Sequence, residues 1–212
     1  PNPENAAALK MACDLAETVG ADLVIGTDPD CDRMGVAVRD QSGKLVLLTG
    51  NQTGSLMAWY RVTTHFKLGL LDESNKSRAV LVKTFVTSGL QDEIAVRNDL
   101  PVTNTLTGFK WIGGKQLKYE RLLPPDVQAR YRTLSVAEAR AAHLQHGRYY
   151  VFGGEESYGY LGADFVRDKD GNMAVLMFVE LAALAASQGR TVAALLDDVY
   201  AEYGYFAEIS RD

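Results

Sequence analysis

The stretch Leu23-Val24-Ile25-Gly26-Thr27-Asp28-Pro29-Asp30-Cys31-Asp32-Arg33 constrains this chain more than any other. An apolar run feeds a Gly, then three carboxylates at alternate positions, then a cation. In an extended backbone, residues i, i+2 and i+4 share a face, so Asp28, Asp30 and Asp32 would be crowded together. Such a cluster demands positive charge. A small hard divalent cation satisfies it most simply, because Mg²⁺ accepts carboxylate oxygens and keeps places for water or phosphate.

Other uses of the same pattern fit less well. D-x-D-x-D opens a calcium-binding EF-hand loop, but that loop needs Gly at its sixth position and Glu at its twelfth, where this chain has Arg33 and Arg39. A haloacid-dehalogenase-type phosphotransferase would use Asp28 as its nucleophile. Such a site usually carries Thr or Val two residues after the second Asp, where Asp32 stands. A solvated acidic turn is the remaining alternative, and a strand-fed triple Asp without compensating lysines makes it a poor design. Arg33 reads either as a surface cation or as a bidentate holder of a phosphoryl oxygen.

The chain has 212 residues and a formal charge of -5, which argues against a nucleic-acid or anionic-membrane surface while allowing a local basic pocket. Cys13 and Cys31 show no paired-motif spacing, so a reducing, cytoplasmic setting is expected. No run approaches the roughly 18 apolar residues of a membrane helix. The start at Pro1, directly on a helix, leads us to expect a piece of something longer.

Asn2-Pro3 reads as an N-cap and first helical residue, with a stripe of Leu9, Ala12, Cys13, Ala16 and Val19 ending at Gly20. A buried strand at 22 to 26, the acidic loop, and strands at 35–38 and 45–48 follow. Beyond Gly50 helices and strands alternate: helix from Leu56, strand 79–86, helix 90–97, strand 102–106, a capping box at Ser135–Glu138, strand 148–152, and helices near 171–187 and 191–203. The expected fold class is α/β, a mainly parallel mixed sheet flanked by helices, preceded by a partial α/β domain. Residues 120 to 134, with Pro124-Pro125, read as a surface excursion.

Two further loops carry chemistry. In Thr107-Gly108-Phe109-Lys110, Gly108 permits close backbone approach and Lys110 offers a point charge to phosphate, or else merely opens an exposed helix. Phe152-Gly153-Gly154-Glu155-Glu156-Ser157-Tyr158-Gly159 sets carboxylates and a hydroxyl in a tight turn after a strand, a set matched to the vicinal hydroxyls of a sugar. Adjacent Glu residues in one loop would not straddle a glycosidic bond, so binding is expected rather than cleavage. Arg167 and Lys169, before a helix N-terminus, are candidates for phosphate contact, with a solvated charge run as the alternative. His65, His143 and His146 have no partner spacing, and Asp197-Asp198 read as an exposed helix face.

Together the three loops resemble those of the α-D-phosphohexomutases, in particular the phosphoglucomutase/phosphopentomutase branch. The resemblance implies that Asp28, Asp30 and Asp32 hold Mg²⁺, that Glu155 and Ser157 contact sugar hydroxyls beside Gly108, and that Lys110 faces the substrate. It implies a mutase moving a phosphoryl group on a hexose or pentose phosphate through a bisphosphate, with Arg33 and Lys110 steadying that group. It also implies a division into residues 1–45 (end of the family's second domain), 46–204 (the third) and 205–212 (a linker toward a fourth). The serine that carries phosphate would then lie on another part of the same polypeptide, since no Ser-His pair occurs here. The 212 residues alone would be inactive. A module that only binds Mg²⁺ and sugar phosphate is the alternative from another functional class.

Overall fold

The structure, a computed structural model, describes residues 2–209. Pro1 and residues 210–212, the last of which belong to the expected linker, lie outside the described residues.

Helix α1 (Ala6–Val19) opens the chain, but its N-cap is Asn5, not Asn2. The Asn5 side chain accepts from the Ala7 amide, whereas Asn2 caps only a preceding turn through the Glu4 amide at 3.1 Å. The apolar stripe is narrower than expected: Leu9 and Ala16 are buried while Ala12 and Val19 are exposed. The helix ends at Gly20 in the left-handed conformation, φ 69°, as its sequence implies. Strands β1 (Leu23–Thr27), β2 (Met34–Arg39) and β3 (Leu45–Leu47) form an antiparallel sheet in that order.

Helix α2 (Gly50–Lys67) starts six residues earlier than its apolar pattern suggests, because Thr49 and Gln52 form a reciprocal capping box. Then come β4 (Ala79–Thr84), α3 (Leu90–Arg97), β5 (Val102–Thr105), α4 (Phe109–Glu120), α5 (Pro125–Ala129), α6 (Val136–His146), β6 (Tyr149–Gly154), β7 (Tyr160–Leu161), α7 (Gly171–Ser187) and α8 (Val192–Tyr203). The second sheet runs β5-β4-β6-β7, with β5 and β6 parallel to β4 and the short β7 antiparallel to β6. This is the mixed, mainly parallel sheet expected of alternating strands and helices. The expected β4 residues Phe85 and Val86 turn outward instead, and β7 carried too few residues to be read.

One core joins the two sheets. Met34, Val36 and Val38 of β2 share a buried cluster with Leu56 of α2, Phe152 of β6, Phe178 of α7 and Val199 of α8. Among the described residues no single helix is long and apolar enough to cross a membrane; α7 and α8 together would pass by composition but bend by 88°.

Candidate functional site

Strand β1 delivers the chain to Asp28, and there the backbone leaves the extended conformation. The Cys31 amide donates to the Asp28 carbonyl at 3.0 Å, and Cys31 takes a positive φ of 54°. Asp28 Oδ1 accepts the amides of Asp32 at 3.1 Å and Arg33 at 3.0 Å. A turn therefore gathers the carboxylates, in place of the one-faced pleat their alternation suggests. The result still satisfies the requirement, since one oxygen each of Asp28, Asp30 and Asp32 lies within 4.8 Å of the others. Asp28 is buried, Asp32 half-buried and Asp30 exposed.

The trio is not without compensating cations. Arg33 Nε meets Asp28 Oδ2 at 2.8 Å, and Arg33 Nη1 meets Glu4 at 3.0 Å. Lys169 Nζ meets Asp32 Oδ2 at 2.7 Å. Burial pushes the Asp28 carboxyl up, but hydrogen bonds from Arg33 and Asp32 outweigh it and hold the group at about 2. With Oδ1 taken by two amides and Oδ2 by a guanidinium, Asp28 is a fixed carboxylate and a poor nucleophile, which argues against the dehalogenase alternative. All-oxygen carboxylate donors at this spacing fit a small hard dication such as Mg²⁺.

The Gly-Glu-Glu-Ser loop lies directly against this turn. Arg33 and Gly159 form an antiparallel bridge, the Met34 amide donates to the Tyr158 carbonyl at 3.1 Å, and the Gly171 amide donates to the Cys31 carbonyl at 2.9 Å. Gly171 must lack a side chain, because a Cβ there would fall 2.6 Å from the Cys31 oxygen. The Gly-Glu-Glu-Ser turn closes with the Glu155 amide on the Gly159 carbonyl at 2.9 Å. Glu155 is buried, and burial raises its carboxyl against the opposing pull of the Gly108 amide and the Lys169 charge. Glu156 turns the other way, its Oε2 accepting the Thr84 hydroxyl at 3.0 Å and the Thr87 hydroxyl at 3.4 Å. Ser157 is half-buried beside them.

Gly108, at φ 104°, is where the second loop meets the third: its amide donates to Glu155 Oε1 at 2.9 Å. Lys110 follows in the first turn of α4, exposed, with Nζ 5.4 Å from the centroid of the Trp111 ring. Arg167 and Lys169 part company. Lys169 reaches into the acidic turn, whereas Arg167 pairs with Glu120 on α4. Sequence reasoning missed Glu4, which braces Arg33, and the threonine pair under Glu156. Both contacts join residues from different elements, and no local pattern announces them.

Comparison with known proteins places these loops in context. A family model described as phosphoglucomutase/phosphomannomutase, alpha/beta/alpha domain II, matches residues 1–43, and the corresponding domain III model matches residues 49–123 and 136–203. A phosphoglucomutase of Staphylococcus epidermidis is 32% identical over 205 residues, covering 97% of this chain and 32% of that protein. Mus musculus phosphopentomutase is 32% identical over 207 residues, covering 97% of this chain and 29% of its own length. The chain thus spans about a third of the length of the curated relatives it matches. Among solved structures, a Burkholderia thailandensis phosphoglucomutase/phosphomannomutase family protein superposes with a TM-score of 0.61 at 15% identity, over 94% of this chain and 33% of that one. The open form of Paramecium pp63/parafusin gives a TM-score of 0.59 at 21% identity, over 97% and 29%. At these identities the likeness is one of fold.

Proposed function

Because the chain belongs to the phosphoglucomutase/phosphomannomutase family of α-D-phosphohexomutases, we propose that it supplies the metal-binding and sugar-binding loops of an intramolecular phosphotransferase. The substrate is a hexose or pentose phosphate, and the phosphoryl group moves between two of its hydroxyls through a bisphosphate. The observation that carries this reading is the contact between the two loops, where the Asp28–Asp30–Asp32 turn and the Glu155–Ser157 turn meet through the Arg33–Gly159 bridge.

Asp28, Asp30 and Asp32 would hold Mg²⁺, which when bound supplies Lewis-acid neutralisation of charge on a transferring phosphoryl group. The protein's own groups do the rest. Arg33, held by Asp28 and Glu4, keeps its guanidinium at the rim of the acidic turn, where a planar fork suits phosphoryl oxygens. Lys169 and Lys110 add point charges, one inside the turn and one on α4. Counting the trio and Glu4 against Arg33 and Lys169, two negative charges are left over; a dication neutralises the set and removes the repulsion an incoming phosphate would meet. Glu155 and Ser157 bind sugar hydroxyls, and Gly108 fixes the Glu155 carboxylate for that task. Arg167, turned onto Glu120, does not join them in this arrangement. The serine that carries phosphate is assigned to a part of the polypeptide outside these 212 residues, and a reducing cytoplasmic setting accords with the unpaired Cys13 and Cys31.

Calorimetric titration of the chain, first with Mg²⁺ and then with glucose 1-phosphate, tests the reading. Saturable binding of both is expected, and failure of the wild-type chain to bind Mg²⁺ would overturn it. Conversion of glucose 1-phosphate by the 212 residues alone would instead remove the assignment of the phosphoserine to another segment.

A further inference from the structure

The loop 162–170 carries Lys169 to Asp32; its ends are tied where Arg61 Nη2 donates to the Gly162 carbonyl at 2.8 Å, the Asp170 amide to the Tyr160 carbonyl at 3.0 Å and the Gly171 amide to the Cys31 carbonyl at 2.9 Å, while its middle, 163–168, is held by side chains. The partners come from elsewhere. At its start, the Gln116 side chain of α4 donates to the Ala163 carbonyl at 3.0 Å. Asp164 then accepts a hydrogen bond from the Tyr131 hydroxyl, and the Tyr131 oxygen lies 2.9 Å from His143 Nε2 of α6. Arg167 pairs with Glu120 at the end of α4, which Arg132 also approaches at 3.5 Å.

Tyr131 and His143 are buried, at 7% and 5% exposure, with their rings edge to face and centroids 5.5 Å apart. Burial pushes His143 down to about 4, so the ring is neutral near pH 7. Each hydrogen is used once if His143 carries its own on Nε2 and donates to the Tyr131 oxygen, while the Tyr131 hydroxyl donates to Asp164. A buried chain of this kind costs free energy whenever one member leaves, so it fixes the geometry of the loop it holds.

The place of Tyr131 in the chain is informative. Residues 124–135 fall between the two stretches that the domain III family model matches, and Tyr131 is in their middle. In sequence residues 120 to 134 read as a surface excursion; in the fold the buried Tyr131 lines, with His143, Asp164 and Arg167, a cavity of about 20 Å³, roughly one water in size, behind the Lys169 loop.

We propose that the segment 124–135 is a brace, and that Tyr131 is a positioning residue that sets Lys169 against Asp32 through Asp164. The role of Lys169 toward substrate rests on the mutase reading above; the brace itself does not. Loss of the Tyr131 hydroxyl cuts the tie from the loop to α6 while leaving the Glu120–Arg167 pair, so the loop should loosen locally and the rest of the fold should not.

The test is the reactivity of Lys169. The chain is treated with a limiting water-soluble acylating reagent, and each lysine is read by mass spectrometry against the exposed Lys118. In Tyr131→Phe, acylation of Lys169 should rise by about threefold or more with faster amide exchange across residues 163–169, as expected of a local opening. Lys10 on α1 and Lys44 in the turn between β2 and β3 should not change. An unchanged Lys169 ratio in a variant with wild-type melting behaviour would overturn the brace. Should Tyr131→Phe lower the melting temperature broadly, Asp164→Ala cuts the same tie from the loop side, and a Lys169 ratio unmoved there overturns the proposal equally. Titration of the wild type with glucose 1-phosphate separates the two ideas. A Lys169 response without sugar-phosphate binding keeps the brace and removes the mutase reading, and binding without a Lys169 response removes the brace alone.

Discussion

Asp28, Asp30 and Asp32 are one motif in the sequence and three different groups in the fold. Asp28 is held in place by structure, its oxygens engaged by the amides of Asp32 and Arg33 and by the Arg33 guanidinium. Asp30 is exposed and is the member whose loss should spare the fold. Asp30→Asn is therefore expected to weaken Mg²⁺ binding by about tenfold or more, the size of effect expected for losing a charged ligand from an oxygen site, with an unchanged circular dichroism spectrum. Calorimetry of the variant checks this, and full retention of affinity would remove Asp30 from the ligand set. A second residue-scale expectation concerns His65, which is 2% exposed and bonded to the Arg61 carbonyl at 2.7 Å and the Tyr149 hydroxyl at 3.1 Å. Burial, reinforced by the Arg61 charge, lowers it from 6.5 to about 4. The unfolded chain thus takes up this proton first. Stability is full above pH 6.5 and is lost as pH falls toward 4, at up to about 1.4 kcal/mol per pH unit for this one group. His65→Gln should reduce that slope in urea midpoints measured across the same range, with His143, likewise lowered to about 4 by burial, supplying a similar slope that remains, and an unchanged slope would show that His65 does not titrate this way.

At the scale of elements, the neighbouring glycines of α4 do opposite things. A Cβ on Gly113 would sit 2.3 Å from the Arg167 carbonyl oxygen, where α4 presses on the Lys169 loop. A Cβ on Gly114 would meet nothing within 4 Å. Gly113→Ala should accordingly destabilise by about 1–3 kcal/mol through overpacking, whereas Gly114→Ala should stabilise by roughly 0.5–1 kcal/mol through helix propensity. Paired thermal melts decide it, and a stabilised Gly113→Ala would mean that the loop does not rest on the helix. Element starts show why local reading succeeds or fails. The Ser135–Glu138 box is legible because hydroxyl and carboxylate stand three residues apart before a helical run, and the fold builds it. Thr49–Gln52 is the same device with an amide, with Gly50-Asn51 inside it and Gly54 after it, whose poor helix propensity hides the start of α2. Asn2-Pro3 fails for the converse reason, since a second Asn three residues on offers a better cap.

At the scale of the whole molecule, the antiparallel sheet and the mixed sheet share one core because β2 inserts Met34, Val36 and Val38 among the helices, and they are expected to unfold together. Met34, fully buried, tests this from the side of the smaller sheet. Met34→Ala should cost about 2–5 kcal/mol. Both tryptophans, Trp59 in α2 and Trp111 in α4, lie outside the antiparallel sheet, so their fluorescence and far-ultraviolet circular dichroism should unfold with one midpoint. Divergent midpoints would mean that the two sheets unfold separately. The sequence by itself determined what depends on neighbours along the chain: the three acidic and Gly-rich loops, most helix ends, and the α/β alternation, all set by contacts a few residues long. Tertiary structure alone decided which loops meet. Asp32 finds Lys169, Gly108 finds Glu155, and Tyr131 reaches Asp164 across segments distant in sequence. Those pairings are fixed by how helices pack on the sheets, and a side chain's pattern along the chain carries no record of which distant surface the packing will bring to it.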